Sequence, residues 1–293
     1  MIWPNAPPRQ PRASIGAPTG LWMPATGGAS LTSSTPDALW SAPSLRALRP
    51  AAVSWTDLRR GRELDRCSLS VPVGARLLLV SEPDTTASAL LRVLAGLSRA
   101  DDGQVRIAGS SDPTAAGWGE RVAYLGPESG LRTWMTPIET LHLAGELLGL
   151  SHDERRRRIE RAIAWTGIPP ALAARSISRG GTDLEQRTGL AAALIAEPEV
   201  LLLDEPLRAI EARERSRLLR ITGRRLTVVL ASRHPASEIG LAAHVAFVRN
   251  GRVELIAAVG DLERANLPLS HGGIAALADM RAMQRQAHRA VPA

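Results

Sequence analysis

The chain has 293 residues, 44% of them hydrophobic and 22% charged, so it can bury a sizeable core in one large α/β domain or two small ones, and a fibrous repeat or wholesale disorder is excluded. Its one cysteine, Cys67, excludes an intrachain disulfide and a cysteine-based zinc site, and apolar runs such as Val200 to Leu203 and Val228 to Ala231 are far too short to cross a bilayer. There is no lysine, so all 36 basic residues are arginines; against 29 acids they give a net charge of +7, which suits nucleic acid, an anionic surface or an acidic partner.

Residues 1 to about 50 are rich in Pro, Ala, Ser, Gly and Thr, with isolated Trp3, Trp22 and Trp40, a composition that predicts a disordered arm. Pro4, Pro7, Pro8, Pro11 and Pro18 break any apolar run of the signal-peptide kind. From about residue 51, short apolar runs alternate with helical periodicity, the pattern of a sheet built from βα units. Arg76 to Val80 reads as a buried strand, Ser88 to Leu97 as a helix ended near Gly96, and Gln104 to Ile107 as a strand. A helix-rich insert follows, with helices over Pro137 to Leu150, Asp153 to Thr166 and Asp183 to Ile195. In the second, Glu154 and Arg158 pair at i and i+4, so the run Arg155 to Arg158 reads as a solvated helix face and argues against a nucleic-acid patch. Strands return at Val200 to Leu203, Thr227 to Ala231 and Val245 to Val248, then the turn Asn250-Gly251 and a strand from Arg252. An amphipathic stretch, Ile274 to Met283, lies in a helical tail over 264–293.

The run Val200-Leu201-Leu202-Leu203-Asp204-Glu205-Pro206 delivers two carboxylates at the end of a buried strand. In P-loop ATPases such an aspartate helps hold Mg²⁺ and an adjacent glutamate positions the attacking water. The helix Gln186 to Ile195 runs directly into that strand. Further segments agree in order: Cys67 to Gly74, Leu90 to Leu97, Asp102 to Gly109, Met135 to Leu141, Ser232-Arg233-His234 and Arg249 to Val253. Together they resemble the ATP-binding cassette of ABC transporters over about residues 51 to 263. The resemblance implies a P-loop NTPase-like α/β fold, with a mixed sheet core and a helical subdomain at about 115–185. It implies ATP and Mg²⁺ as cofactors, Asp204 and Ser88 as metal ligands, Glu205 and His234 as catalytic groups, and Glu211 at the D-loop position. The Arg-Gly signature and Gln186 to Ala191 lean toward the export type of cassette.

The phosphate loop of this family follows G-x-x-x-x-G-K-[ST], whose glycines let backbone N–H groups wrap the phosphates while Lys reaches the β/γ oxygens. Here the positions are Ser81, Glu82, Pro83, Asp84, Thr85, Thr86, Ala87, Ser88 and Ala89. Ser81 and Thr86 replace the two glycines and Ala87 the lysine; only Ser88 keeps its type. Residues with a Cβ resist φ > 0, and Pro83 removes a donor. Glu82 and Asp84 would oppose a polyphosphate by roughly 4 kcal/mol per unit-charge pair at about 4 Å, against about 0.3–1 kcal/mol from the helix dipole. Pro127 stands where the family has its Q-loop glutamine. The signature is blurred as Ser178, Arg179, Gly180 and Gly181, matching Leu-Ser-Arg-Gly only with about three residues inserted before Leu184. The aromatic that stacks adenine belongs near Leu58 or Arg59; Trp55 is about three positions off.

These substitutions predict a degenerate subunit, with ATP binding and hydrolysis impaired, that acts as a scaffold or regulatory cassette. It would sit in the cytoplasm, peripheral to the membrane, docked through the helical insert on a membrane-spanning transporter subunit and paired with a second cassette as a homo- or heterodimer. A weakly active ATPase powering export is the alternative, and a basic nucleic-acid-binding protein a third reading that the dispersed arginines disfavour.

Overall fold

The computed structural model describes residues 50–111, 117–205, 208–220 and 226–290. The arm expected over residues 1–50 lies outside them except for Pro50, as do Pro206 and the expected start of the insert at 115. Two sheets organise the rest. The first joins β1 (Ala51–Arg60), β2 (Leu64–Pro72) and β4 (Asp102–Ile107) in the antiparallel order β2-β1-β4. The second has the order β5-β6-β7-β3-β8-β9, made of β3 (Arg76–Glu82), β5 (Val122–Leu125), β6 (Val200–Asp204), β7 (Thr227–Ala231), β8 (His244–Arg249) and β9 (Arg252–Ala258). Its first five strands run parallel, and β9 returns antiparallel on β8. This is the mixed sheet core of the expected α/β fold.

The central strands are continuous apolar runs because both of their faces are covered. On one face Leu77 and Leu79 of β3 pack with Leu90, Leu91 and Leu94 of α1 (Thr85–Leu94) and with the first sheet. On the other, Leu78 and Val80 join Leu190 of α6 (Gly181–Leu194), Leu218 of α7 (Ala212–Arg220), and Ile274 and Leu277 of α10 (His271–Ala290). A third core is confined to the helical part. There α3 (Pro137–Leu147), α4 (His152–Thr166) and the short α5 (Pro170–Ala173) bring Leu141, Ala144, Ile159 and Ala173 against Leu184, Ala191 and Ala192 of α6.

Local chemistry fixes the ends. The Thr136 hydroxyl accepts from the Glu139 N–H (3.1 Å), and the Glu139 carboxylate accepts from the Thr136 N–H (2.9 Å), a reciprocal cap reinforced by Pro137. Asn250 and Gly251 both take positive φ (49° and 75°), as the β8–β9 turn requires. A Cβ on Gly251 would sit 2.5 Å from the Asp65 nitrogen, so the turn is also a close approach to β2.

Two expectations change, and β1 is an element for which there was none. Helix α1 begins at Thr85 rather than Ser88, because Thr85, Thr86 and Ala87 include no glycine or proline to interrupt it. β1 gives little periodic signal: its register shifts at bulges, and Asp57 has φ 50°. The Arg155 to Arg158 run is more than a solvated face. Arg155 pairs with Glu146 at 2.8 Å, Arg157 with Glu154, and Arg158 with Glu154 at 2.7 Å, while Arg158 also donates to the Ile195 carbonyl at 2.9 Å.

Candidate functional site

The C-terminal edges of β3, β6 and β7 and the start of α1 converge on one cluster. β3 ends at Glu82 and α1 begins at Thr85, leaving Pro83 and Asp84 between them; the Glu82–Pro83 peptide is cis. Asp84 is already helical (φ −63°, ψ −20°), and its side chain caps nothing. The Ala87 N–H donates to the Ser81 hydroxyl at 2.9 Å, and the Thr86 N–H to the Pro83 carbonyl at 3.2 Å. Two donors at the helix start are therefore engaged within the chain. Ser81, Thr86, Ala87 and Ala89 are buried, whereas Pro83, Asp84 and Thr85 are exposed. The exposed Glu82 carboxylate turns to Arg249 at 3.3 Å.

Ser88 donates through Oγ to Asp204 Oδ1 at 2.7 Å, and Tyr124 donates through its hydroxyl to Oδ2 at 2.9 Å. Burial holds the Asp204 carboxyl above its usual range, while these two hydrogen bonds pull the other way. Burial first, then the Asp204 charge, push the Tyr124 phenol far up, so Tyr124 stays protonated and donates.

Glu205 follows in the left-handed region at φ 53°, with its N–H on the Ala231 carbonyl (2.9 Å). Its buried carboxylate accepts from the Arg233 N–H at 2.6 Å and Arg233 Nε at 3.2 Å, and Arg208 Nη2 lies 2.7 Å from its other oxygen. His234, just beyond Arg233, is exposed; its N–H donates to Ser232 Oγ (3.0 Å) and its ring has no hydrogen-bond partner among the described residues.

The remaining predicted positions stand apart. Pro127 is exposed in the loop after β5, and Glu211 is exposed before α7. Ser178 and Arg179 lie in a 3₁₀ turn upstream of α6, where the Ser178 N–H donates to the Thr133 carbonyl at 2.9 Å. Gly180 caps α6 and Gly181 opens it, so Ser178 and Arg179 precede the helix while Gly180 and Gly181 begin it. Among the described residues no hydrogen bond or ion pair joins Ser178, Arg179, Gly180, Gly181 or Glu211 to the Ser88–Asp204 cluster. Trp55 is buried and donates to Cys67 Sγ (3.4 Å), leaving no free face for a base.

Sequence reasoning missed Tyr124, Arg208 and Arg233. The available signals were the chain's single tyrosine beside a strand end and an arginine directly before His234. The arrangement is that of a P-loop-type α/β protein, with a strand-borne acidic pair facing a strand-to-helix turn.

Comparison with known proteins places it more narrowly. The family described as ABC transporter matches residues 64–208. The aliphatic sulfonates import ATP-binding protein SsuB of Corynebacterium glutamicum is 33% identical over 195 residues, 65% of this chain and 75% of that protein. The taurine import ATP-binding protein TauB of Sinorhizobium fredii is 32% identical over 165 residues, 54% of this chain and 60% of that protein. The chain thus matches 60% to 75% of these two relatives' length. Among solved structures, a dimeric bacterial ABC transporter cassette superposes with a TM-score of 0.61 at 15% identity, covering 71% of this chain and 98% of that one. The cbiO1 protein of Clostridium perfringens, part of an ABC transporter complex, gives 0.64 at 16% identity, covering 73% and 91%. This chain belongs to the ATP-binding cassette family of ABC transporters. The export-type expectation is corrected: these relatives are import ATP-binding proteins.

Proposed function

We propose that this chain is a cassette subunit of an import-type ABC transporter whose own nucleotide site is impaired. It would act as a scaffold or regulator at the cytoplasmic face, beside a membrane-spanning partner and a second cassette that carries the hydrolysis. The observation that carries this reading is the Ala87 N–H on the Ser81 hydroxyl. The amide at the family's lysine position is engaged, the lysine is an alanine, and the chain holds no lysine to replace it. The residues present do not fit a magnesium polyphosphate: the loop is closed, Glu82 and Asp84 flank it, and Glu205 is already paired with Arg208 and Arg233. No described helix is long and apolar enough to cross a membrane, and in this reading the membrane passage belongs to a partner. The sulfonates and taurine in the relatives' names are the substrate class to try first in the assembled complex.

The test is equilibrium titration of the full chain with Mg²⁺-ATP, with Asp204→Ala as control. No saturation up to about 1 mM is expected, that is, binding weaker than about 4 kcal/mol. Saturable binding that Asp204→Ala abolishes would overturn the reading. The 2.7 Å contact of Ser88 and Asp204 favours one alternative, a slow ATPase that retains its metal ligands. That alternative requires turnover lost in Glu205→Gln, whereas the impaired-site reading expects the two proteins to be indistinguishable.

A further inference from the structure

Helix α10 lies beyond residues 64–208, the part matched by the family, yet it touches Ser81 directly and Glu82 through Arg249 of β8. His271, its first residue, places Nε2 3.4 Å from the Ser81 carbonyl oxygen, where the Nε2–H tautomer donates. The ring is held edge-on against Phe247 of β8, with centroids 5.6 Å apart. One residue along, Glu82 meets Arg249, which lies over the same Phe247 ring at 5.0 Å. Arg249 also binds Glu254 at 3.1 Å and Asp279 of α10 at 2.8 Å. One guanidinium thus gathers carboxylates from the loop, from β9 and from α10. Ile274, Leu277 and Ala278 bury the inner face of α10 in the second core, so its grip on the loop has a fixed base.

These contacts converge on one internal bond. The residue whose carbonyl His271 holds is the residue whose hydroxyl accepts the Ala87 N–H. We propose that α10 is a built-in strap that keeps the phosphate loop shut, with His271 and Arg249 as positioning residues acting through Ser81 and Glu82. The strap deepens the impaired-site reading in one respect: it gives the closed loop a cause in this chain's own C-terminal segment. The β8 ladder holds Ser81 and Glu82 opposite Val248 and Arg249, and the two side-chain anchors add to that hold at adjacent residues. Each is partly exposed and individually weak, so the effect is expected to be graded.

The experiment is amide hydrogen exchange on the full chain without nucleotide, following Thr86 and Ala87 against Leu201 to Leu203 of β6. His271→Ala and Arg249→Gln are each expected to speed exchange at 86–87 by about three- to fivefold, and the double variant by about tenfold, with β6 unchanged. His271→Gln, which keeps a donor, and Arg249→Lys, which keeps the charge, should restore protection. Unchanged exchange at 86–87 in the double variant overturns the proposal. So does an equal rise at 201–203, which would mean general loosening, or failure of both conservative variants to rescue. Because no nucleotide is present, the strap can fail while the impaired-site reading stands, and the reverse.

Discussion

Asp204 is buried and, among the described residues, its carboxylate accepts hydrogen bonds from two neutral hydroxyls, so its charge is poorly compensated. A carboxyl held above its unfolded value favours the fold most at low pH, below the unfolded value near 4, and that contribution is lost as pH rises through the folded value. Asp204→Asn keeps the shape and removes the charge. It is expected to raise Tm by a few degrees at pH 7, with the gain shrinking toward zero near pH 4, as differential scanning calorimetry would read. An unchanged difference at the two pH values would show that the carboxylate is solvated. Ser88, Asp204 and Glu205 were legible because strand and helix patterns frame them locally. Tyr124 and Arg233 were not, since they reach the cluster from β5 and the end of β7, and no local spacing links 124, 205 and 233.

Helix boundaries tell which elements the residues themselves determine. Thr136→Ala removes the hydroxyl arm of the reciprocal cap and is expected to cost about 1 kcal/mol in urea unfolding, with an unchanged m-value. The caps of α3 and α4 are written in consecutive residues, Thr136-Pro137-Ile138-Glu139 and Ser151-His152-Asp153-Glu154, which is why periodicity placed those helices within a few positions. α1 departs from its expected start for the opposite reason. Thr85, Thr86 and Ala87 form its first turn, three positions before the expected start, and none of them is a glycine or proline that would interrupt the helix. β1 escaped because a strand held on both edges by β2 and β4 does not need unbroken alternation to stay paired. What remained illegible is the strap, in which residues 81 and 271 meet only after the sheet has formed.

At the scale of the molecule, a buried cation ties α6 to the end of α4 and to α7, which packs in the second core. Arg187 of α6 binds Asp183 and Glu214, each at 2.7 Å, and donates to the Thr166 carbonyl at 2.9 Å. Those bonds, Glu214 first, push the Arg187 guanidinium up, while burial opposes them. Arg187→Ala is expected to cost about 2–3 kcal/mol in denaturant unfolding, short of the roughly 3–5 of a fully buried pair because both carboxylates keep access to water. Joining parts this firmly lets local opening be told from collapse of the whole, and the chain carries its own means of timing the latter. Cys67 is its only thiol, fully buried in β2 and raised to about 11 by burial against the opposing Trp55 N–H bond. A thiol reagent in excess reacts only with molecules whose first sheet has come apart, so the rate of colour development counts those excursions one molecule at a time. A strap variant that loosened only the loop would leave that rate unchanged, while Arg187→Ala would quicken it.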